Sequence, residues 1–455
     1  DTKISIEWPY CSFPILCHDH RDPNGSCSLI VQGLINKYLQ VMAKSFFREI
    51  EPVPIDETFR LLDQFNSDSN PNKVNLGIGV YRTNEGKPWV LPVVSSTETA
   101  LAADKTLNHE YLSIDGMKEF YAAAPKLILG ADSPAIVENR VCAVQSLSGT
   151  GSLRLIFEFT HRFLPAKVVY TPKPTWGNHI KVARDAGFAE RREYRYYNKE
   201  TRGLDLNGML EDLQNAPMGS VIVLHGCGHN PTGVDPSKEE WVKIANVIKE
   251  KHLFPLLDYA YLGLVSGDID EDAFAARHFV SQGIELAVAQ SFAKNFGLYS
   301  SRIGCAFFVA SSAEYVNTIR SQLKAIIRPM WSNPPVQGAR IVTTVLKNPA
   351  LLAEWKECVV SMSKRIKSAR EILFQKMREL GTPGNWEHII KHCGMFTFTG
   401  LSPRQVKFLL EKYHIYTMKS GRINMCTVNT SNVEYVAKAI DDAVRNAADY
   451  QNGTD

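Results

Sequence analysis

From about residue 75 onward, short runs of β-branched and apolar residues alternate with longer stretches whose apolar positions recur at helical spacing. Val168-Val-Tyr170, Val221-Ile-Val-Leu224, Phe254-Pro-Leu-Leu257, Leu286-Ala-Val-Ala289 and Ala306-Phe-Phe-Val309 predict strands. Between two of them, Trp241, Ile244, Ala245 and Ile248 fall on one helical face, with Lys243, Glu250 and Lys251 turned outward. Strand–helix–strand alternation of this kind predicts an α/β architecture around a mostly parallel sheet. After residue 345 the texture changes to a charged amphipathic stretch from Leu351 to Leu380, ended by Gly381-Thr-Pro-Gly384. A strand over Met395 to Thr399, a helix opened by Ser402-Pro403 and a last helix from Val433 to Asn446 predict a second, smaller domain, which the long amphipathic stretch would join to the first.

Bulk properties narrow the class. At 455 residues the chain exceeds the size at which one core keeps growing, so two domains are expected. Its hydrophobic (44%) and charged (22%) fractions are those of an ordinary globular protein and exclude disordered or collagen-like classes. The net charge of +3 comes from basic residues scattered among acidic ones, so no nucleic-acid footprint is present. No apolar run approaches the roughly 18 residues that span a bilayer. Nine cysteines at irregular spacings, with no CxxC pair, predict reduced thiols in an intracellular compartment and no metal site. Residues 1 to about 45 are neither Arg-rich and acid-poor nor built around an apolar block, and read as an extension of unassigned role.

The chemistry concentrates at Ser291 to Gly304, where Lys294 precedes Arg302 by eight residues just after the apolar run Ile284 to Ala289. A lone lysine is ordinarily a surface residue, but one desolvated beside Phe292 and Phe296 loses proton affinity and becomes a nucleophile for carbonyls. Arg302 offers a planar fork for a phosphate, and Ser291 adds a hydroxyl. Ser148-Gly-Thr-Gly151, ahead of Leu153, Ile156 and Phe157, is either a plain turn with an N-cap or a second anion site at a helix N-terminus. Asp258, closing the run Phe254 to Leu257, is either a helix cap or the buried anion that keeps a pyridine nitrogen protonated. His229-Asn-Pro-Thr-Gly233 is a turn whose Asn230 can still donate to a ring substituent. Trp176 is either core or a stacking platform.

Eight ordered motifs give these residues a common context: Asn75-Leu-Gly-Ile-Gly-Val-Tyr-Arg82, Lys87-Pro-Trp-Val-Leu-Pro92, His109-Glu-Tyr-Leu112, Pro174-Thr-Trp-Gly-Asn-His179, His229-Asn-Pro-Thr-Gly233, Ser291 to Gly304, Trp331-Ser-Asn-Pro-Pro335 and Ser420-Gly-Arg-Ile-Asn-Met425. With them the span from Phe47 to Ala447 resembles the aspartate aminotransferases, fold-type I enzymes that use pyridoxal 5′-phosphate, and most of all the eukaryotic cytosolic form. The resemblance implies a large domain, 89–359, with a mostly parallel sheet of the seven-stranded type flanked by helices. It also implies a smaller α/β domain built from 47–88 and 360–455, with 1–46 left as an N-terminal extension. Lys294 would carry the cofactor and move the substrate's α-proton, Asp258 would pair with the ring nitrogen, and Tyr261 and Asn230 would bond the phenolic oxygen. Trp176 would stack on the ring, with His229 and His179 behind.

Ser148, Gly149, Thr150, Ser291 and Arg302 would hold the phosphate, joined by Tyr111 from a second subunit. Arg422 would grip the substrate's α-carboxylate, and Arg328 of the other subunit its side-chain carboxylate. Gly79 would let an N-terminal segment close over the substrate, and Phe396 would line the pocket. The implied reaction interconverts L-aspartate and 2-oxoglutarate with oxaloacetate and L-glutamate by a ping-pong mechanism, in a cytoplasmic rather than mitochondrial homodimer. Broader specificity for aromatic or cysteinesulfinate-type substrates, and a non-catalytic paralogue, are the alternatives; no metal, membrane or nucleic-acid partner is expected. Gly226 and Gly228, where the family commonly has alanines, and Leu262, where glutamine is common, depart from the pattern. Looser packing or altered cofactor affinity is the expected consequence.

Overall fold

The computed structural model describes residues 33, 36, 37, 45–165 and 167–447. The chain divides into two units, Asp1–Asp56 and Glu57–Asp455. In the first, a turn over 46–49 carries exposed Phe46 and Phe47, and Ile50, Val53 and Ile55 after it are exposed as well. Cys11, Cys17, Cys27 and the turn expected at Asp22-Pro23-Asn24-Gly25 lie outside the described residues.

The second unit is organised by a seven-stranded sheet. Its strands are β1 (Val141–Leu147), β2 (Val168–Lys173), β3 (Glu190–Arg195), β4 (Val221–His225), β5 (Phe254–Tyr259), β6 (Leu286–Ser291) and β7 (Ile303–Val309), in the spatial order β1-β7-β6-β5-β4-β2-β3. β3, β2, β4, β5 and β6 run parallel, and β7 runs antiparallel to both β6 and β1. Central strands such as β4, β6 and β7 are buried at every position, because apolar clusters cover both faces of the sheet. This explains why they read as continuous apolar runs rather than alternating ones. β3 (Glu-Arg-Arg-Glu-Tyr-Arg) is the opposite case: a charged edge strand with one buried side chain, Tyr194. Its charges protect the sheet edge and also hide it from a hydrophobicity pattern.

The helices that place the site are α1 (Ser148–Phe163), α2 (Gly177–Asp185), α3 (Lys238–Glu250), α4 (Glu314–Trp331), α5 (Gln337–Lys347), α6 (Pro349–Glu379), α7 (Pro403–Tyr413) and α8 (Val433–Asn446). α3 and α7 open with capping boxes, Ser237 with Glu240 and Ser402 with Gln405, so each start is fixed by a reciprocal pair of hydrogen bonds. α6 begins two residues before the amphipathic pattern, because Asn348 accepts from the N–H groups of Ala350 and Leu351, and Pro349 occupies the first turn. The helix ties separate regions together: Trp355 donates to the carbonyl of Asn295, and Arg365 donates to those of Cys426 and Val428. The expected strand over Met395 to Thr399 is shorter, Phe396–Phe398, and pairs antiparallel with Arg422–Asn424 so that Phe398 faces Arg422 across the ladder. Asn424 in turn donates to the carbonyls of Ile78 and Val80, pinning the segment that contains Gly79.

Candidate active site

The parallel strands deliver their last residues to one rim, where open α/β sheets bind ligands. His225, the end of β4, lies opposite Asp258 near the end of β5, while Ser291 ends β6 and Lys294 follows three residues later. A cavity of about 240 Å³ opens there. Its walls include Gly79, Ser148, Gly149, Thr150, Trp176, Asn230, Asp258, Tyr261, Ser291, Lys294, Arg302, Phe396 and Arg422. The structure thus brings together every expected site residue except two.

Tyr111 and Arg328 do not line this cavity. Tyr111 is 88% exposed on a loop whose neighbours are tied down: Asn333 donates to the carbonyl of Leu112 and Arg340 to that of Asn108. Arg328, in the last turn of α4, donates to the Ser332 hydroxyl and faces solvent. Thr58, His225 and Tyr299 are wall residues that the sequence reading missed. The signal for His225 was its place at the end of a buried strand, the same signal that marked Asp258.

Lys294 sits 5.3 Å from the Tyr261 ring centroid. Burial is the main cause that lowers its pKa, aided by the charge of Arg302 and opposed by Asp258. Phe292 and Phe296, expected to supply that burial, pack elsewhere: Phe292 against Phe120 and Phe296 on Trp355. For Asp258, burial opposes ionisation, yet the His179 hydrogen bond and nearby positive charge outweigh it and hold the carboxyl below its usual range. Its Oδ2 lies 3.0 Å from His179 Nε2, whereas Oδ1 is buried with no hydrogen-bond partner among the described residues. An orphaned carboxylate oxygen in a closed site is costly unless a cationic donor meets it.

Behind Asp258 the hydrogen bonds run in one direction. Burial, with His229 and His179 nearby, pushes the pKa of His225 well down, so its ring is neutral. The Asn230 N–H donates to His225 Nδ1, which leaves His225 Nε2–H to donate to the Thr175 hydroxyl at 3.3 Å. Thr175 then donates to His179 Nδ1 at 2.8 Å, and His179 Nε2–H donates to the carboxylate. Every member has one partner on each side, so the chain fixes the tautomers as well as the positions. On the front side, Asn230 Nδ2 donates to the Tyr261 hydroxyl at 3.3 Å, while Arg422 donates to Asn230 Oδ1 at 3.2 Å and to the Gly77 carbonyl at 2.6 Å. Burial, then the charge of Asp258, raises the pKa of Tyr261, which remains a neutral donor.

At the other end of the cavity, α1 starts at Ser148 with no loop between it and β1. Ser148 takes a φ of +60°, and its hydroxyl lies 3.1 Å from that of Ser291. Gly149 comes so close that a Cβ would stand 3.2 Å from Ser291 Cβ. Gly304 of β7 pairs with Ser291, and a Cβ there would fall 2.6 Å from the Ser148 carbonyl carbon. Two hydroxyls, the free N–H groups of a 16-residue helix and the Arg302 guanidinium converge on one concavity, a donor set suited to a phosphate dianion.

The three departures from the expected pattern have distinct surroundings. Gly226 does not loosen the packing: a Cβ would stand 2.3 Å from the Tyr259 ring, which fills that space. Gly228 has a φ of +64°, a conformation that alanine strains to adopt. Leu262 is fully buried, and its carbonyl accepts from Asn295 Nδ2.

Residues 71–440 match the family model described as aminotransferase class I and II. The chain is 50% identical over 408 residues to the cytoplasmic aspartate aminotransferase of Gallus gallus, covering 89% of this chain and 99% of that one. It is 45% identical to the solved cytoplasmic aspartate aminotransferase of Saccharomyces cerevisiae, with a TM-score of 0.86 over 88% of this chain and 98% of the other. An aromatic-amino-acid aminotransferase from Burkholderia pseudomallei, covalently bound to pyridoxal phosphate, superposes with a TM-score of 0.86 at 38% identity, over 88% and 100% of the two chains.

Proposed function

Because the chain belongs to the class I and II aminotransferases, we propose that it is a pyridoxal-phosphate-dependent aspartate aminotransferase of the cytoplasm, interconverting L-aspartate and 2-oxoglutarate with oxaloacetate and L-glutamate. The observation that carries the reading is the orphaned Asp258 Oδ1, buried in the same cavity as Lys294 and a serine-lined helix N-terminus. A protonated pyridine nitrogen supplies the donor that this oxygen lacks, and the phosphate of the same molecule fits the concavity at Ser148, Gly149, Thr150, Ser291 and Arg302. The residues present therefore fit the cofactor. When bound, it supplies the electron sink that stabilises the charge left on the substrate's α-carbon.

The protein's own part is to bind, orient and move a proton. Lys294, its ammonium form disfavoured by burial, would hold the cofactor covalently and, once the substrate's amine has displaced it, would take the α-proton. Asp258, kept ionised by His179, would hold the ring nitrogen's proton in place. Asn230 and Tyr261 would donate to the cofactor's phenolic oxygen, and Trp176 would cover its ring face. Arg422 takes the α-carboxylate with its planar fork beside Gly79 and Phe396.

Two carboxylates need two guanidinium groups, and the second comes from another copy of the chain. Tyr111 and Arg328 stand exposed on anchored surfaces, as residues that complete a neighbour's site would. In a homodimer, Tyr111 reaches the partner's phosphate and Arg328 the partner's side-chain carboxylate. A neutral side chain in the substrate leaves that arginine desolvated and unpaired, which is the basis of dicarboxylate preference. The segment around Gly79 belongs, in this reading, to a small domain, 47–88 with 360–455, distinct from the large domain, 89–359.

Reduction of the holoenzyme with borohydride, followed by peptide mapping, tests the assignment: a pyridoxyl group on Lys294 is expected, and a modified lysine elsewhere or none at all refutes it. Specificity constants for aspartate and phenylalanine then separate this reading from that of a broader-specificity enzyme.

A further inference from the structure

Arg370, in the second half of α6, is a guanidinium sealed in the protein, 2% exposed. Among the described residues no carboxylate lies within ion-pair distance of it; its two terminal nitrogens donate to backbone, while Nε is buried without a partner among those residues. Arg370 donates to the carbonyls of Ile389 at 2.9 Å, Cys393 at 3.0 Å, Gly394 at 2.8 Å and Phe396 at 2.7 Å. The segment between Ile389 and Phe396 has almost no regular ladder of its own, so these carbonyls need partners that secondary structure does not provide. One planar fork reaches all four, which the compact ammonium of a lysine cannot do.

The segment so held is a wall of the active site. The Phe396 ring carries the Arg422 guanidinium 4.3 Å above its centroid and meets the Tyr261 ring edge-on at 5.9 Å. Its Cζ lies 3.2 Å from where a Cβ would stand on Gly79. Three parts of the substrate pocket therefore take their position from one ring. The same segment backs the Asn230 turn: Cys393 N–H donates to the Gly233 carbonyl at 2.6 Å, and a Cβ on Gly233 would meet the Phe396 carbonyl oxygen at 2.1 Å. Asp235 fixes that turn from its far side, accepting from the N–H groups of Gly228 at 2.6 Å and His229 at 2.8 Å, and its charge is felt by Arg370.

We propose that Arg370 is a positioning residue for substrate carboxylate recognition: by fixing the backbone from Ile389 to Phe396, it sets the aromatic platform on which Arg422 lies and the spacing between Arg422 and Asn230. The proposal rests on the assignment of Arg422 to the substrate's α-carboxylate. Arg370 touches neither substrate nor cofactor, so its removal disturbs binding of the carboxylate more than the proton transfer at Lys294.

The test uses the full-length holoenzyme and succinate, a dicarboxylate with no amino or oxo group, titrated by calorimetry. Arg370→Met is expected to weaken succinate by about tenfold and to raise KM for aspartate and 2-oxoglutarate alike, with kcat held within about threefold. Amide hydrogen exchange between residues 389 and 396 rises in the same variant. Arg370→Lys gives an intermediate loss. Lys364→Met, which removes an exposed cation from the same helix, binds succinate as the wild type does. Succinate affinity unchanged in a folded Arg370→Met, or a fall in kcat alone, overturns the proposal. If Arg370→Met does not fold, Arg370→Lys decides, and wild-type affinity in that variant overturns it. Failure of the wild-type chain itself to bind succinate overturns the functional assignment and this proposal together, and is distinguished by appearing without any substitution.

Discussion

Asp258 presents one carboxylate oxygen to His179 at 3.0 Å and leaves the other buried without a partner among the described residues, so its two oxygens have different surroundings and different tasks. The first is held by the chain that runs back through Thr175 and His225 to the Asn230 N–H. Asp258→Asn keeps the shape of the group and removes its charge. A drop in kcat/KM of roughly a hundredfold or more is expected, the size of effect that follows when one member of a buried charge pair is removed. Steady-state kinetics at saturating cofactor measures it, and a loss below tenfold would show that the orphaned oxygen has no such role.

Complementation tests the shared site. Lys294→Ala and Arg328→Ala are each expected to be nearly inactive toward aspartate as pure proteins. Unfolded and refolded together in equal amounts, they form hybrids with one intact site, and activity recovers to about one quarter of wild type by random pairing. If the mixture stays as inactive as its components, Arg328 acts within its own subunit.

Asp272 gives the fold a pH signature. Its carboxylate ties the loop after β5, accepting from the N–H groups of Gly263, Val265 and Ser266. Burial nevertheless pushes its pKa up to about 6. Between the unfolded value near 4 and that folded value, the native state binds the extra proton, so this residue's contribution falls as pH rises through the window. The amount is roughly 3 kcal/mol over two pH units. Urea unfolding at pH 4.5 and pH 6.5 should show a smaller pH dependence of this sign in Asp272→Asn than in the wild type. An unchanged slope would rule the residue out as its source.

Gly226 and Tyr259 behave as one packing unit. Gly226→Ala alone is expected to destabilise by about 1–3 kcal/mol, because the ring cannot retreat from a fully buried position. In a Tyr259→Ala background the same substitution costs much less, and a double-mutant cycle by chemical denaturation reads the coupling. Additive effects would mean that the two sites do not compete for the same volume.

The sequence already carried much of the site, for a physical reason. Lys294, Ser291 and Arg302 lie within twelve residues, and Asp258 ends an apolar run, so their chemistry shows where the chain leaves the sheet. The five apolar strands were legible because burial on both faces makes them uniformly hydrophobic. β3 was not, since its edge position is protected by charge, and β1 was not singled out although its interior is buried. His225 escaped because its part depends on Thr175 and His179, neighbours only in space. Arg370 escaped for a related reason: on an amphipathic helix rich in lysine and arginine, nothing local separates a guanidinium that feeds four carbonyls from those that face water. The placement of Tyr111 and Arg328 away from the cavity was legible only through the family resemblance, since no property of either residue type encodes it.

Gly304 carries a last implication. With no side chain there, β7 lies against both the start of α1 and the end of β6 at the spacing that sheet hydrogen bonds impose. The concavity proposed for the phosphate therefore has the rigidity of the sheet rather than of a loop, with the Ser148 and Ser291 hydroxyls already 3.1 Å apart there. Little ordering entropy is lost on binding there, so affinity for the phosphate end of a ligand should outlast damage to the walls that hold its ring.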